Sequence, residues 1–148
     1  MSPETAYRDG TLSITAVYSA PRQTVFDAWI EIAQVQRWWG CEGTTNVVSQ
    51  VEPGVGGKYL HAMTVEGAGE MTMGGTITEY SPPARLTFRM NDGPGTTVTV
   101  DFIEQGEQTE VRLVHAGLQD QFSGFIAQGW TAGFNRLEQL LAGTLVAA

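Results

Sequence analysis

Residues 118–142, LQDQFSGFIAQGWTAGFNRLEQLLA, decide the reading of the fold. Leu118, Phe122, Phe125, Ile126, Gly129, Trp130, Gly133, Phe134, Leu137, Leu140 and Leu141 step by three and four without a break. Gln119, Asp120, Gln121, Gln128, Asn135, Arg136, Glu138 and Gln139 fall on the other side. Apolar residues at that spacing form one stripe along a helix, because a turn takes about 3.6 residues. The pattern predicts a single amphipathic helix over residues 119–142, about 36 Å long at about 1.5 Å per residue. A stripe of that length must be buried against an equally long surface.

That surface precedes it in the chain. Between Thr44 and His115 the sequence breaks into short alternating segments, at about 44–52, 57–66, 70–80, 84–91, 96–104 and 108–116. Between them stand turn-forming clusters: Pro53-Gly54-Val55-Gly56-Gly57, Glu66-Gly67-Ala68-Gly69, Ser81-Pro82-Pro83, Asn91-Asp92-Gly93-Pro94-Gly95 and Gln105-Gly106-Glu107. Strands joined this tightly pair antiparallel, since a parallel neighbour needs a crossover of about a dozen residues. Gly54 to Gly57 lacks the lysine and the following helix of a phosphate loop, and reads as a hairpin turn. Upstream, Leu12, Ile14, Ala16 and Tyr18 alternate with polar or smaller residues as a first strand. Pro21 ends it and opens a helix. Val25, Phe26, Trp29 and Ile30, then Ile32, Val35, Trp38 and Trp39, suggest two short helices with a bend at Glu31 and a stop at Gly40.

The expected class is therefore α+β: a seven-stranded curved antiparallel sheet wrapped around a long C-terminal helix, with two short helices after strand 1. Residues 1–10 read as a flexible leader, 11–143 as the single domain and 144–148 as an apolar tail. A chain of 148 residues fits one domain. Sixteen Asp and Glu against eight Lys and Arg give a net charge of −8. That disfavours nucleic acid and anionic membrane, which both require a basic face. No segment reads as a signal peptide or a membrane span, so a cytoplasmic location is expected. Cys41 is the only cysteine, which excludes an internal disulfide and a cysteine-based zinc cage. The tail Leu145-Val146-Ala147-Ala148 suggests a homodimer.

Sheet and helix curve differently, so a cavity between them is expected. Gly129 and Gly133 lie near the centre of the helical stripe, where they either allow close packing or leave volume for a ligand. Gly124 points away from it. Met63, Met71, Met73 and Met90 are spread over the predicted strands, with Tyr59 and His61 sharing the parity of Met63, and Phe88 that of Met90. Methionine adapts to irregular space and suits walls that accept varied apolar molecules, although it also simply fills cores. His61 and His115 are the only groups suited to proton transfer near neutral pH. No Ser-His-Asp arrangement, HExxH or metal-ligand cluster accompanies them, so hydrogen-bonded wall positions are expected of both.

Several stretches together match a known pattern: Ser19-Ala20-Pro21 into Val25-Phe26-Asp27-Ala28-Trp29, Gln36-Arg37-Trp38-Trp39-Gly40, and Pro53-Gly54-Val55-Gly56-Gly57-Lys58-Tyr59. The match resumes at Gly75-Thr76-Ile77, runs on to Pro82-Pro83-Ala84-Arg85-Leu86-Thr87-Phe88, and ends with His115-Ala116-Gly117-Leu118, Gly129-Trp130 and Leu137-Glu138-Gln139-Leu140-Leu141. The combination resembles the START-like (SRPBCC) superfamily, in the branch related to the C-terminal domain of the activator of Hsp90 ATPase. That resemblance implies a helix-grip fold around a deep, mostly apolar pocket. Members of the superfamily bind hydrophobic molecules, and some catalyse cyclisation or dehydration in the cavity.

The leading expectation is a protein that binds a small hydrophobic molecule and needs no cofactor or metal. Its pocket walls would be Trp39, Tyr59, Met63, Met73, Phe88, Met90, Phe122, Ile126, Trp130 and Gly133, with His61 and His115 as polar anchors. The alternatives are a cyclase- or dehydratase-like enzyme using either histidine as acid or base, and an interaction module for a chaperone ATPase.

Overall fold

The computed structural model describes residues 3–90 and 95–143. The expected turn at 91–94 and the apolar tail at 144–148 lie outside the described residues. The elements in chain order are β1 (Glu4–Arg8), β2 (Thr11–Tyr18), α1 (Arg22–Ile30), α2 (Ile32–Trp38), β3 (Thr44–Val51), β4 (Lys58–Val65), β5 (Gly69–Ser81), β6 (Arg85–Met90), β7 (Thr96–Gln105), β8 (Gln108–Ala116) and α3 (Asp120–Leu141). All pairings are antiparallel, in the order β1-β2-β8-β7-β6-β5-β4-β3.

The sheet has eight strands, one more than expected, because part of the expected leader is structured. Residues 4–8 pair with β2 from Glu4↔Thr15 to Arg8↔Thr11. Asp9 and Gly10 join the two strands, both at positive φ (48° and 79°). Asp-Gly favours this hairpin geometry, whose twist matches that of the flanking strands. Strand β1 is largely exposed, so it carries no alternation of apolar and polar residues to reveal it.

The alternation in β2 is realised: Leu12, Ile14, Ala16 and Tyr18 are buried. The same face continues through Val111, Leu113 and His115 of β8 and Val98, Val100 and Phe102 of β7. At Glu31 the backbone turns extended (φ −80°, ψ 120°) and separates α1 from α2. Trp38 Nε1 donates to the Ala28 carbonyl (2.8 Å), which locks the second short helix onto the first. The Tyr59 hydroxyl donates to the Trp29 carbonyl (2.7 Å) and ties α1 to β4. The Tyr18 hydroxyl donates to the Phe134 carbonyl (3.1 Å) and ties α3 to β2. Each bond removes a buried polar group that would otherwise oppose folding.

Trp29 is the hub of the aromatic core. Its ring lies within 4.6–6.1 Å (centroid distance) of Trp38, Phe102, Trp130 and Phe134. The buried residues of α3 begin only at Trp130 and run through Gly133, Phe134 and Leu137. The first half of the helix has no fully buried residue, and Phe122 and Phe125 on it are exposed.

Candidate functional site

The cavity lies between the first half of α3, the loop after α2 and strands β4, β5, β6 and β8. Its walls include Met63 of β4, Met71 and Met73 of β5, Met90 of β6 and His115 of β8. Trp38, Trp39, Gly40 and Cys41 close one side, and Phe125, Ile126, Gly129, Trp130 and Gly133 of α3 close another. Four of the chain's five methionines therefore meet in one place. Room for the centres of water-sized molecules amounts to about 70 Å³. An apolar cavity that accepts benzene has about 150 Å³. The cavity is smaller than that, and its most adaptable walls are thioethers.

His115 is the polar member of the wall, and its chemistry is defined by its partners. Trp130 Nε1 donates to Nδ1 (3.0 Å), and Thr96 Oγ1 lies 2.7 Å from Nε2. An indole N–H can only donate, so Nδ1 accepts, and the ring proton sits on Nε2 facing the threonine hydroxyl. The histidine is a neutral clamp that fixes the Trp130 indole against the cavity.

The loop wall is fixed by Arg136 of α3. Its guanidinium donates to the carbonyls of Trp39 (3.4 Å) and Thr44 (3.3 Å). Gly40 sits between these anchors at φ 119°, and a Cβ there would lie 2.7 Å from the Thr44 hydroxyl, so both conformation and space call for glycine. A second, outer depression of about 580 Å³ shares Cys41, Met71, Phe125 and Gly129 with the cavity, so these four residues face both spaces.

Of the residues expected from sequence, Trp39, Met63, Met73, Met90, His115, Ile126, Trp130 and Gly133 do line this cavity. Four do not. Tyr59 and Phe88 are fully buried against each other, centroids 4.6 Å apart, in closed core. Strand parity places a side chain on the inner face but not at a given distance from the cavity. Phe122 is 51 % exposed although it lies on the apolar stripe of α3, because its turn precedes the part of the helix that is buried, which begins at Trp130. His61 lies behind the wall: its ring stacks on Trp39 (centroids 3.9 Å, interplanar angle 25°).

Trp38, Gly40, Cys41, Met71, Phe125 and Gly129 line the cavity without having been assigned to it. Met71 shares strand parity with Met73, and Gly129 and Phe125 lie on the helical stripe, so their signals were present. Gly40 and Cys41 sit in a loop, where no periodicity points to a wall. Among the described residues no group of three His, Cys, Asp or Glu side chains could hold a metal ion, and no helix is long and apolar enough to cross a membrane.

The sequence pattern of the family described as Activator of Hsp90 ATPase homolog 1-like protein matches residues 19–142. The chain belongs to that family. The AHSA1-like protein from Aeromonas hydrophila, known from a solution structure, is similar at 25 % identity and a TM-score of 0.78, with 90 % of this chain and 94 % of that one covered. Protein CV1439 from Chromobacterium violaceum superposes with a TM-score of 0.81 at 21 % identity, covering 89 % and 97 %. Protein Ms6760 from Mycobacterium smegmatis does so at 0.82 and 20 %, covering 97 % and 99 %. These likenesses establish the helix-grip fold of the AHSA1-like, SRPBCC type, with its sheet curved around α3. Comparison with curated proteins finds no match.

Proposed function

We propose that this AHSA1-like chain binds a small, largely apolar molecule in the cavity between the sheet and α3. The observation that carries the reading is the wall itself: four methionines, three tryptophans and two helix glycines converge there, and among the described residues His115 and Cys41 are its only ionisable members. Unbranched thioether side chains change rotamer at little cost and fit apolar guests of varied shape. The free site is small, so binding would draw Met63, Met71, Met73 and Met90 aside and enlarge it.

This supports binding over acid–base catalysis. Both ring nitrogens of His115 are engaged, by Trp130 and Thr96, and among the described residues the Cys41 thiol is the one other ionisable group that lines the cavity. A catalyst of the cyclase or dehydratase kind needs a group with a proton to give or a lone pair to take one. Native mass spectrometry of gently purified protein tests the proposal. A retained small molecule, released on denaturation, is the expected result. Protein found only at its bare mass, whatever apolar compounds it is offered, would contradict it.

A further inference from the structure

Among the described residues two fully buried side chains keep a polar atom without a hydrogen-bond partner, Trp29 at Nε1 and His61 at Nε2, and only the imidazole nitrogen can either donate or accept. His61 is fully buried, and its Nδ1 lies 2.8 Å from the Ser49 hydroxyl oxygen. Among the described residues no protein group forms a hydrogen bond with Nε2. A buried polar atom without a partner carries a desolvation penalty that a bound partner removes.

The position of this atom is set by the sheet register. Ser49 lies directly opposite His61 on β3, and Met73 lies opposite it on β5. Since the Nδ1 edge faces β3, the other edge of the ring, with Nε2, turns inward and towards β5. Met63 follows two residues later on the same face, and Trp39 covers the ring. Trp39, Met63 and Met73 are all walls of the cavity. His61 thus stands directly behind wall residues of the cavity, two of them methionines that a guest would displace.

We propose that the guest carries a neutral hydroxyl, as in a phenol or an apolar alcohol, and that this group bonds to Nε2 of His61 when the methionine wall gives way. The proposal rests on the cavity reading above and narrows it. A hydroxyl suits either tautomer. If the serine donates to Nδ1, the Nε2–H donates to the guest oxygen, and if Nδ1–H donates to the serine, Nε2 accepts a hydrogen bond from the guest hydroxyl. A carboxylate is disfavoured, because among the described residues no Lys or Arg lines the cavity. Burial also holds the imidazole neutral, pushing its pKa down to about 3, so it offers no positive charge.

Three probes of similar size test this at pH 7: toluene, phenol and benzoate, each titrated into protein with ¹⁵N-labelled imidazoles. The chain has two histidines, so the ring signals are few and assignable. Phenol should bind at least as tightly as toluene, although its hydroxyl costs more to desolvate, and should shift the His61 Nε2 resonance, which toluene leaves in place. His61→Phe keeps an aromatic ring beneath Trp39 and should weaken phenol about five- to tenfold while leaving toluene unchanged. Tighter toluene than phenol, an unmoved Nε2 signal, or benzoate binding as well as phenol would each overturn the proposal. The nitrogen shift is read on the parent protein, so it decides the matter even if His61→Phe does not fold. Failure of toluene and phenol alike would instead reject the cavity reading itself.

Discussion

Replacing Gly133 probes the contact between α3 and α2 and the cavity at once. The residue sits in mid-helix, buried, and a Cβ built on it would lie 3.5 and 3.6 Å from two ring carbons of Trp38 and 3.6 Å from its carbonyl oxygen. Those are ordinary van der Waals distances, so a methyl group fits without displacement. Alanine in a helix interior is favoured over glycine by about 0.8–1.0 kcal/mol, and the new ring contacts add about 0.1–0.2 kcal/mol each. Gly133→Ala should therefore stabilise by about 1 kcal/mol, raising the melting temperature by about 3–4 °C for a domain of this size. Leucine is a different test, since Trp38 blocks one side and its outer carbons have the cavity as their open space. Gly133→Leu should keep the stability of the parent within about 1 kcal/mol, because the helix-propensity gain offsets local repacking. It should also abolish binding of an environment-sensitive apolar dye. Thermal unfolding followed by circular dichroism, with a dye titration beside it, reads both effects. A Gly133→Ala protein that melts below the parent would refute the packing argument. A Gly133→Leu protein destabilised by about 1–3 kcal/mol, as in an overpacked core, that still binds dye would refute the placement of the cavity.

Trp29→Ala removes the centre of the aromatic core and should cost about 3–5 kcal/mol by chemical denaturation; an unchanged midpoint would mean that the hub is elsewhere. His61 is held below its ordinary range, at about 3, by burial, so the unfolded chain takes up a proton that the folded chain refuses. Its contribution is fully present above about pH 6.5 and falls by about 1.4 kcal/mol per pH unit towards pH 3. His61→Phe should flatten the loss of stability between about pH 6.5 and 5, before most carboxylates titrate, and an identical pH profile in parent and variant would contradict this. With a net charge of −8, no salt-sensitive binding to duplex DNA or RNA is expected, and a gel shift that weakens with added salt would overturn that.

What could be read from the sequence follows from which physical signals are periodic. Helix α3 and strands β2 to β8 announce themselves because one face of each is buried, and burial imposes a period of about 3.6 or 2. Strand β1 stays mostly in solvent, so composition does not betray it, and only the Asp9-Gly10 turn marks the hairpin. The same logic divides the cavity residues. Met63, Met73, Met90 and Trp130 face inward and also line the cavity, whereas Tyr59 and Phe88 face inward where the core is closed. Parity carries the first kind of information and not the second. Gly40 and Cys41 owe their place to the Arg136 clamp, a contact between residues about a hundred positions apart that no local pattern encodes.

The central claim is that the four-methionine cavity opens to an apolar guest, and the methionine methyl groups report on it directly. Toluene titrated into protein carrying ¹³C-methyl methionine should shift the Met63, Met71, Met73 and Met90 signals together along one saturable curve. The same titration of Gly133→Leu should leave them in place. Methyl signals that stay unmoved in the parent while toluene rises to its solubility limit would contradict the account.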